Sequence, residues 1–118
     1  MITIYHNPRC SKSRVAYALL VDELAGREEV RTVEYLKTPP TLDDLKQLHA
    51  LLGVPVREMI RDNEPTFAEL GLDDTSLSED ALLKAVSDHP VLLQRPIVVR
   101  DSRAVIGRPP EQIATLFD

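Results

Sequence analysis

Residues 5–14 read Tyr5-His6-Asn7-Pro8-Arg9-Cys10-Ser11-Lys12-Ser13-Arg14, and they hold the only cysteine in a chain of 118 residues. Before them, residues 2–5 form a short apolar, β-prone stretch that reads as a buried strand. After them the pattern turns helical. Ala16, Leu20 and Leu24 lie on one side and Val15, Ala18, Leu19 and Asp22 on another, until Gly26 stops the helix. The cysteine therefore sits at a strand-to-helix turn. A free cysteine, with a pKa near ~8.5, is only about 3 % thiolate at neutral pH, but a helix N-terminus and nearby cations lower that pKa. Arg9, Lys12 and Arg14 supply cations here, and no acid precedes Asp22. The expectation is a reactive thiol rather than a small buried hydrophobe.

Working outward, residues 31–36 read as a second strand, so strand, helix and strand make a right-handed β-α-β unit with parallel strands. Pro39-Pro40 punctuates the chain, and residues 41–89 carry helical signals without a strand. Thr41 is a good N-cap, with Asp43 and Asp44 in the first turn and a stripe of Leu42, Leu45, Leu48 and Leu52 that ends at Gly53. A short helix follows Pro55 and places Arg57 and Arg61 on one face. Thr66 and Glu69 have the spacing of a capping box, and Ser78 caps a further helix that His89-Pro90 breaks. Strand character returns at residues 96–100 and 104–106, which pair as a hairpin through Asp101-Ser102, and a last helix covers residues 111–117. The chain should be one α/β domain with a mixed sheet of about four strands and helices on both faces. That is the arrangement of a thioredoxin-like fold with a helical insertion over about residues 41–89.

Composition narrows the function. At 43 % hydrophobic and 28 % charged, the chain is ordinarily globular, and it has no apolar run long enough to span a membrane. Nor does it open on a basic lead and an apolar stretch, so a cytoplasmic location is expected. One cysteine makes no internal disulfide, and His6, His49 and His89 lack metal-ligand spacing, so no metal is expected. The net charge of −5 argues against nucleic acid. Its distribution is uneven: residues 1–14 hold three cations and no acid, residues 15–88 seven cations against sixteen acids, and residues 89–118 four against three. Ten of the fourteen cations are arginine, whose planar fork suits oxyanions. An acidic body with basic ends points to a focused anion site.

Cys10 and Ser13 form C-x-x-S, so the thiol cannot close a disulfide with a partner three residues on and must be regenerated by an outside thiol. Ser13 is either a donor to the thiolate or a plain helix N-terminal serine; His6 is either a functional partner or a structural hydrogen-bonding group. A phosphatase-type loop needs an arginine six residues after the cysteine, and that position is Ala16. Arg95 precedes the proline of the third strand, and Arg108 ends the fourth.

Taken together, residues 4–14 (I-Y-H-N-P-R-C-S-K-S-R), 56–63 (V-R-E-M-I-R-D-N), 69–72 (E-L-G-L), 89–99 (H-P-V-L-L-Q-R-P-I-V-V) and 107–111 (G-R-P-P-E) resemble the glutaredoxin-dependent arsenate reductases over nearly the full length, and especially their chromosomal members. The resemblance implies that Cys10 is the nucleophile, that Ser13 and His6 support it, and that Arg61, Arg95 and Arg108 bind the oxyanion. Arg57 matches a family arginine without an assigned chemical role. It also implies a cis peptide before Pro96, arsenate as substrate, and glutathione and glutaredoxin as external reductant and partner. No bound cofactor and a monomer are expected. Two other functions fit the same residues. One is glutathione-dependent thiol transfer to another substrate. The other is a non-enzymatic regulator that binds RNA polymerase, against which Ser13 counts because such regulators carry C-x-x-C.

Overall fold

The computed structural model describes all of residues 1–118. The chain divides into two compact units, one formed by residues 1–38 with 95–118 and the other by residues 39–94. No helix is long and apolar enough to cross a membrane.

The first unit holds the sheet. Strand β1 (Ile2–Tyr5) leads through the Cys10 turn into α1 (Ser11–Leu19). The helix widens into a π turn over Leu20–Leu24, closed by the Ala25 N–H donating to the Leu20 carbonyl at 2.8 Å, before β2 (Val30–Val33). Strands β3 (Ile97–Arg100) and β4 (Arg103–Ile106) form the expected hairpin, with Asp101 at φ 55° in its turn. The strand order is β2-β1-β3-β4; β1 and β2 run parallel, and the other two pairings are antiparallel. The sheet is thus mixed and four-stranded, as expected for a thioredoxin-like fold. Strand β2 stops at Val33, short of the anticipated Leu36.

Strict alternation in β1 buries Ile2 and Ile4 completely on one face. Ala16 and Leu20 of α1 pack there with Val98 and with Ile113 and Leu116 of the last segment, which is a 3-10 helix over Pro110–Phe117 rather than an α-helix. Both helical elements of this unit share that face. Val15, on the other anticipated apolar side of α1, is 57 % exposed. Arg100 fastens the C-terminal segment: its guanidinium pairs with both Glu28 carboxylate oxygens, donates to the Leu116 carbonyl and lies over the Phe117 ring.

The second unit is helical. Helix α2 (Leu42–Leu52) has a full capping box: the Thr41 hydroxyl accepts from the Asp44 N–H while the Asp44 carboxylate accepts from the Thr41 N–H. It ends at Gly53, whose φ of 64° suits glycine, and packs against α4 (Glu79–Asp88), capped by Ser78. The short α3 (Pro65–Glu69) starts one residue before the anticipated Thr66 cap. Glu64 takes the N-cap position and Pro65 the first helical one, so the Thr66–Glu69 capping box does not form. Residues Val56–Met59 make one 3-10 turn, and Ile60 then extends to bridge Leu93. Arg57 and Arg61 consequently do not share a helical face.

Candidate active site

Sheet register brings the distant parts of the site in the first unit to one end. Tyr5 pairs with both Val33 and Ile97, and Ile97 with Ile106. The turn after β1, the chain leaving β2, Arg95 two residues before β3 begins, and Arg108 two residues after β4 ends therefore all emerge together. The Arg95–Pro96 peptide is cis, as the fold implied, and so is Arg108–Pro109. Across the hairpin the Gly107 N–H donates to the Pro96 carbonyl at 2.8 Å, fastening the two arginine-bearing segments beyond the last strand pair.

Cys10 is the N-cap of α1 and half-buried, with extended backbone angles. Its N–H donates to the Asn7 carbonyl, and its carbonyl accepts from the Arg14 N–H. No side chain caps the helix, so the thiol stands where the first free N–H groups point. Burial pushes the thiol pKa up. That effect is outweighed by the Ser13 N–H, by the charge and hydrogen bond of the Arg95 guanidinium, and by the Lys12 N–H, leaving the pKa below the ordinary thiol value. Lys12 therefore acts through its backbone. Arg14 spends its guanidinium on the Pro8 carbonyl at 2.9 Å, and its charge is felt by His6.

Behind the thiol lies a buried polar cluster. The Ser13 hydroxyl is 2.7 Å from His6 Nδ1 and accepts from the Asn7 N–H at 3.1 Å. The His6 ring stacks on Tyr17 with centroids 4.9 Å apart. Burial, partly offset by Glu34 and reinforced by Arg14, lowers the His6 pKa, so the imidazole is neutral at pH 7. Asn7 also accepts from the Arg9 N–H through its side chain, an Asx turn that shapes the loop ahead of Cys10. Asn7 and Tyr17 were not singled out from the sequence. The Asn-Pro pair, which favours turn initiation, was the available signal for Asn7.

Arg61 belongs to the second unit. Its N–H donates to the Leu92 carbonyl, and its half-buried guanidinium pairs with Glu64. Arg57 instead braces that unit, donating to the carbonyls of Leu72 and Asp74 at 2.7 and 2.8 Å.

Comparison with known proteins agrees with the fold. A model of the ArsC family matches residues 5–116. An arsenate reductase of Neisseria meningitidis serogroup A is 49 % identical over 117 residues, 98 % of this chain and 97 % of that protein. The Escherichia coli protein YfgD, named uncharacterized, is 48 % identical over 95 % of this chain and 92 % of its own. The solved structure of an arsenate reductase from Vibrio cholerae superposes with a TM-score of 0.90 at 45 % identity, covering 97 % of this chain and 95 % of that one. A thioredoxin-like sheet with an activated cysteine at its β1–α1 turn, and similarity of this extent to arsenate reductases, place the chain in the ArsC family.

Proposed function

We propose that the protein reduces arsenate to arsenite with external thiols, through a covalent adduct on Cys10. The observation that carries this reading is the thiol itself, held below its ordinary pKa by two helix N–H groups and Arg95 and having no second cysteine to pair with. Arg95 and Arg108, at the same sheet end, receive the oxyanion and stabilise charge as oxygen leaves arsenic. The Cys10 thiolate attacks arsenic(V) and one oxygen departs as water. Glutathione displaces a second oxygen, also as water. The glutaredoxin thiolate then takes the glutathione sulfur as a mixed disulfide, leaving its bonding electron pair on arsenic, which becomes trivalent. Water releases arsenite and restores the Cys10 thiol. Summed over the cycle, arsenic acid and two thiols give arsenous acid, one disulfide and one water.

The resemblance assigns Arg61 to the oxyanion as well. Its pairing with Glu64 means that anion binding there must compete with a carboxylate, and Arg61→Ala tests the assignment through the arsenate KM. For the reaction as a whole, the test is arsenite production in the presence of glutathione and glutaredoxin. Wild-type protein should exceed the background given by those two alone, and Cys10→Ser should fall to it. Wild-type turnover at background level would discard arsenate as the substrate.

A further inference from the structure

The strand order β2-β1-β3-β4 gives the Cys10 turn two different flanks. It leaves the central strand β1, so the arginine-bearing ends of β3 and β4 lie on one side of it. The chain leaving β2 lies on the other. On this second flank is a cavity of about 240 Å³ walled by His6, Pro8 and Arg9 from the cysteine turn and by Glu34, Leu36 and Lys37 from the segment after β2. Its chemistry is mixed. Leu36, 43 % exposed, and Pro8 give an apolar floor. Arg9 and Lys37 bring two cations, and Glu34 one carboxylate, 3.5 Å from the Lys37 ammonium. None of these groups serves the thiolate or the oxyanion in the scheme above.

We propose that this cavity docks the small thiol that resolves the Cys10 adduct, an anionic thiol peptide of the glutathione class. The inference rests on the reading of Cys10 as a nucleophile released by an outside thiol. Two cations and one carboxylate complement a peptide that carries two carboxylates and one ammonium group. The volume is below the roughly 300–1,000 Å³ of sites that enclose a whole drug-sized molecule. The cavity therefore holds one end of the peptide and leaves the thiol free to reach across Pro8 and Arg9 to the next residue, Cys10. Placement on this flank also separates the two ligands. The oxyanion is held by guanidinium groups on the β3–β4 side, and the incoming thiolate approaches arsenic from the β2 side without passing them.

The test uses S-methylglutathione, which keeps the charges but cannot react, titrated into the intact protein without arsenate and followed by backbone amide NMR. Shifts should concentrate at residues 6–9 and 34–37, and the Arg9→Glu/Lys37→Glu double variant should weaken binding at least tenfold. In turnover the same variant should raise the glutathione KM about tenfold with the arsenate KM unchanged, while Glu34→Gln, which keeps the shape of the wall, should change the glutathione KM by a smaller factor. Shifts centred on Arg95 and Arg108, no saturable shift at all, or an unchanged glutathione KM in the double variant would each overturn the proposal. Binding at residues 6–9 and 34–37 in a protein that fails to reduce arsenate would uphold the cavity and remove only the substrate reading.

Discussion

The Ser13 hydroxyl lies 2.7 Å from His6 Nδ1, and with the Asn7 N–H donating to the same oxygen at 3.1 Å its bonding capacity is used away from the thiol. In the Nε2-protonated tautomer of the neutral imidazole, the Ser13 O–H donates to Nδ1 and all three groups are satisfied. Ser13 reaches Cys10 through its backbone N–H instead. The hydroxyl thus holds the turn in shape, and the shape aims the N–H groups.

That division of labour makes Ser13→Ala a mild variant for chemistry and a costly one for folding. The substitution keeps the N–H that faces Cys10 but strips a partner from a part-buried Asn7 N–H and from buried His6. An unsatisfied buried group costs about 1–3 kcal/mol. Urea unfolding should show a loss in that range, while the Cys10 pKa, read from thiolate absorbance, should rise by less than it does in Arg95→Ala. A larger rise in Ser13→Ala would mean that the hydroxyl acts on the thiolate directly.

Arg95 contributes both charge and a hydrogen bond to Cys10, so its removal should show in the pH dependence of alkylation. The thiolate is the reactive form, and a lowered pKa places the rise in iodoacetamide reactivity below the ordinary range near ~8.5. In Arg95→Ala the rise should move to higher pH. In Arg95→Lys, which keeps the charge but not the planar fork, it should move only part of the way. Superimposable curves for wild type and Arg95→Ala would remove Arg95 from the thiolate's surroundings.

His6 links the same cluster to acid stability. Its folded-state pKa lies below the ordinary ~6.5, chiefly through burial, so the unfolded chain binds the proton more readily. The stability gained by keeping it neutral is complete above about pH 6.5 and is lost as pH falls through the lower folded value. Glu34 opposes the shift and Arg14 supports it. Denaturation midpoints measured at pH 7.5 and 5.5 should therefore fall in wild type and fall less in His6→Gln. The lowered carboxylates, Asp74 and Asp101, titrate below this window and leave it clear.

Much of this was legible before the fold was known. The β-α-β order, the hairpin and the helical insertion follow from hydrophobic period and from punctuation at Gly26, Pro39 and Pro90, and strand register then carries Arg95 and Arg108 to the cysteine turn without any local signal between them. Hydrogen-bond allegiance was not legible. Nothing in the spacing C-x-x-S tells whether a serine offers its hydroxyl or its N–H. A count of nearby cations likewise overstates Arg14, whose guanidinium bonds the Pro8 carbonyl, and Lys12, which reaches the thiol through its backbone N–H, while Arg95, 85 positions later, supplies the charge. The Thr66–Glu69 spacing misled for a related reason. A capping pattern competes with its neighbours, and Pro65, which is well suited to the first helical position, puts the N-cap of α3 at Glu64, two residues before Thr66.

Arg57 separates architecture from chemistry. Its guanidinium ties the turn at Val56–Met59 to the chain after α3 through two carbonyls, a charge-assisted pair worth about 1–2 kcal/mol in a partly exposed setting. Arg57→Ala should lower the unfolding free energy by that amount and leave kcat and both KM values within about twofold below the melting range. A tenfold loss of kcat in folded protein would give Arg57 a chemical role it lacks in this scheme.

Arg95 and Arg108 sit on adjoining segments at one end of the β3–β4 hairpin, and of the two Arg95 is the leading contributor to the lowered Cys10 pKa. The two should therefore come apart in experiment. Arg108→Ala should move the alkylation curve of Cys10 less than Arg95→Ala does. Its effect should fall on the arsenate KM and on kcat, because a hydrogen bond from a charged donor to the anion, worth about 1.5–3 kcal/mol, corresponds to roughly a ten- to hundredfold loss of kcat/KM. Arg95→Ala should show both defects. If Arg108→Ala shifts the thiol pKa as far as Arg95→Ala does, the arginines act as one electrostatic unit on Cys10, and the assignment of Arg108 to the oxyanion loses its basis.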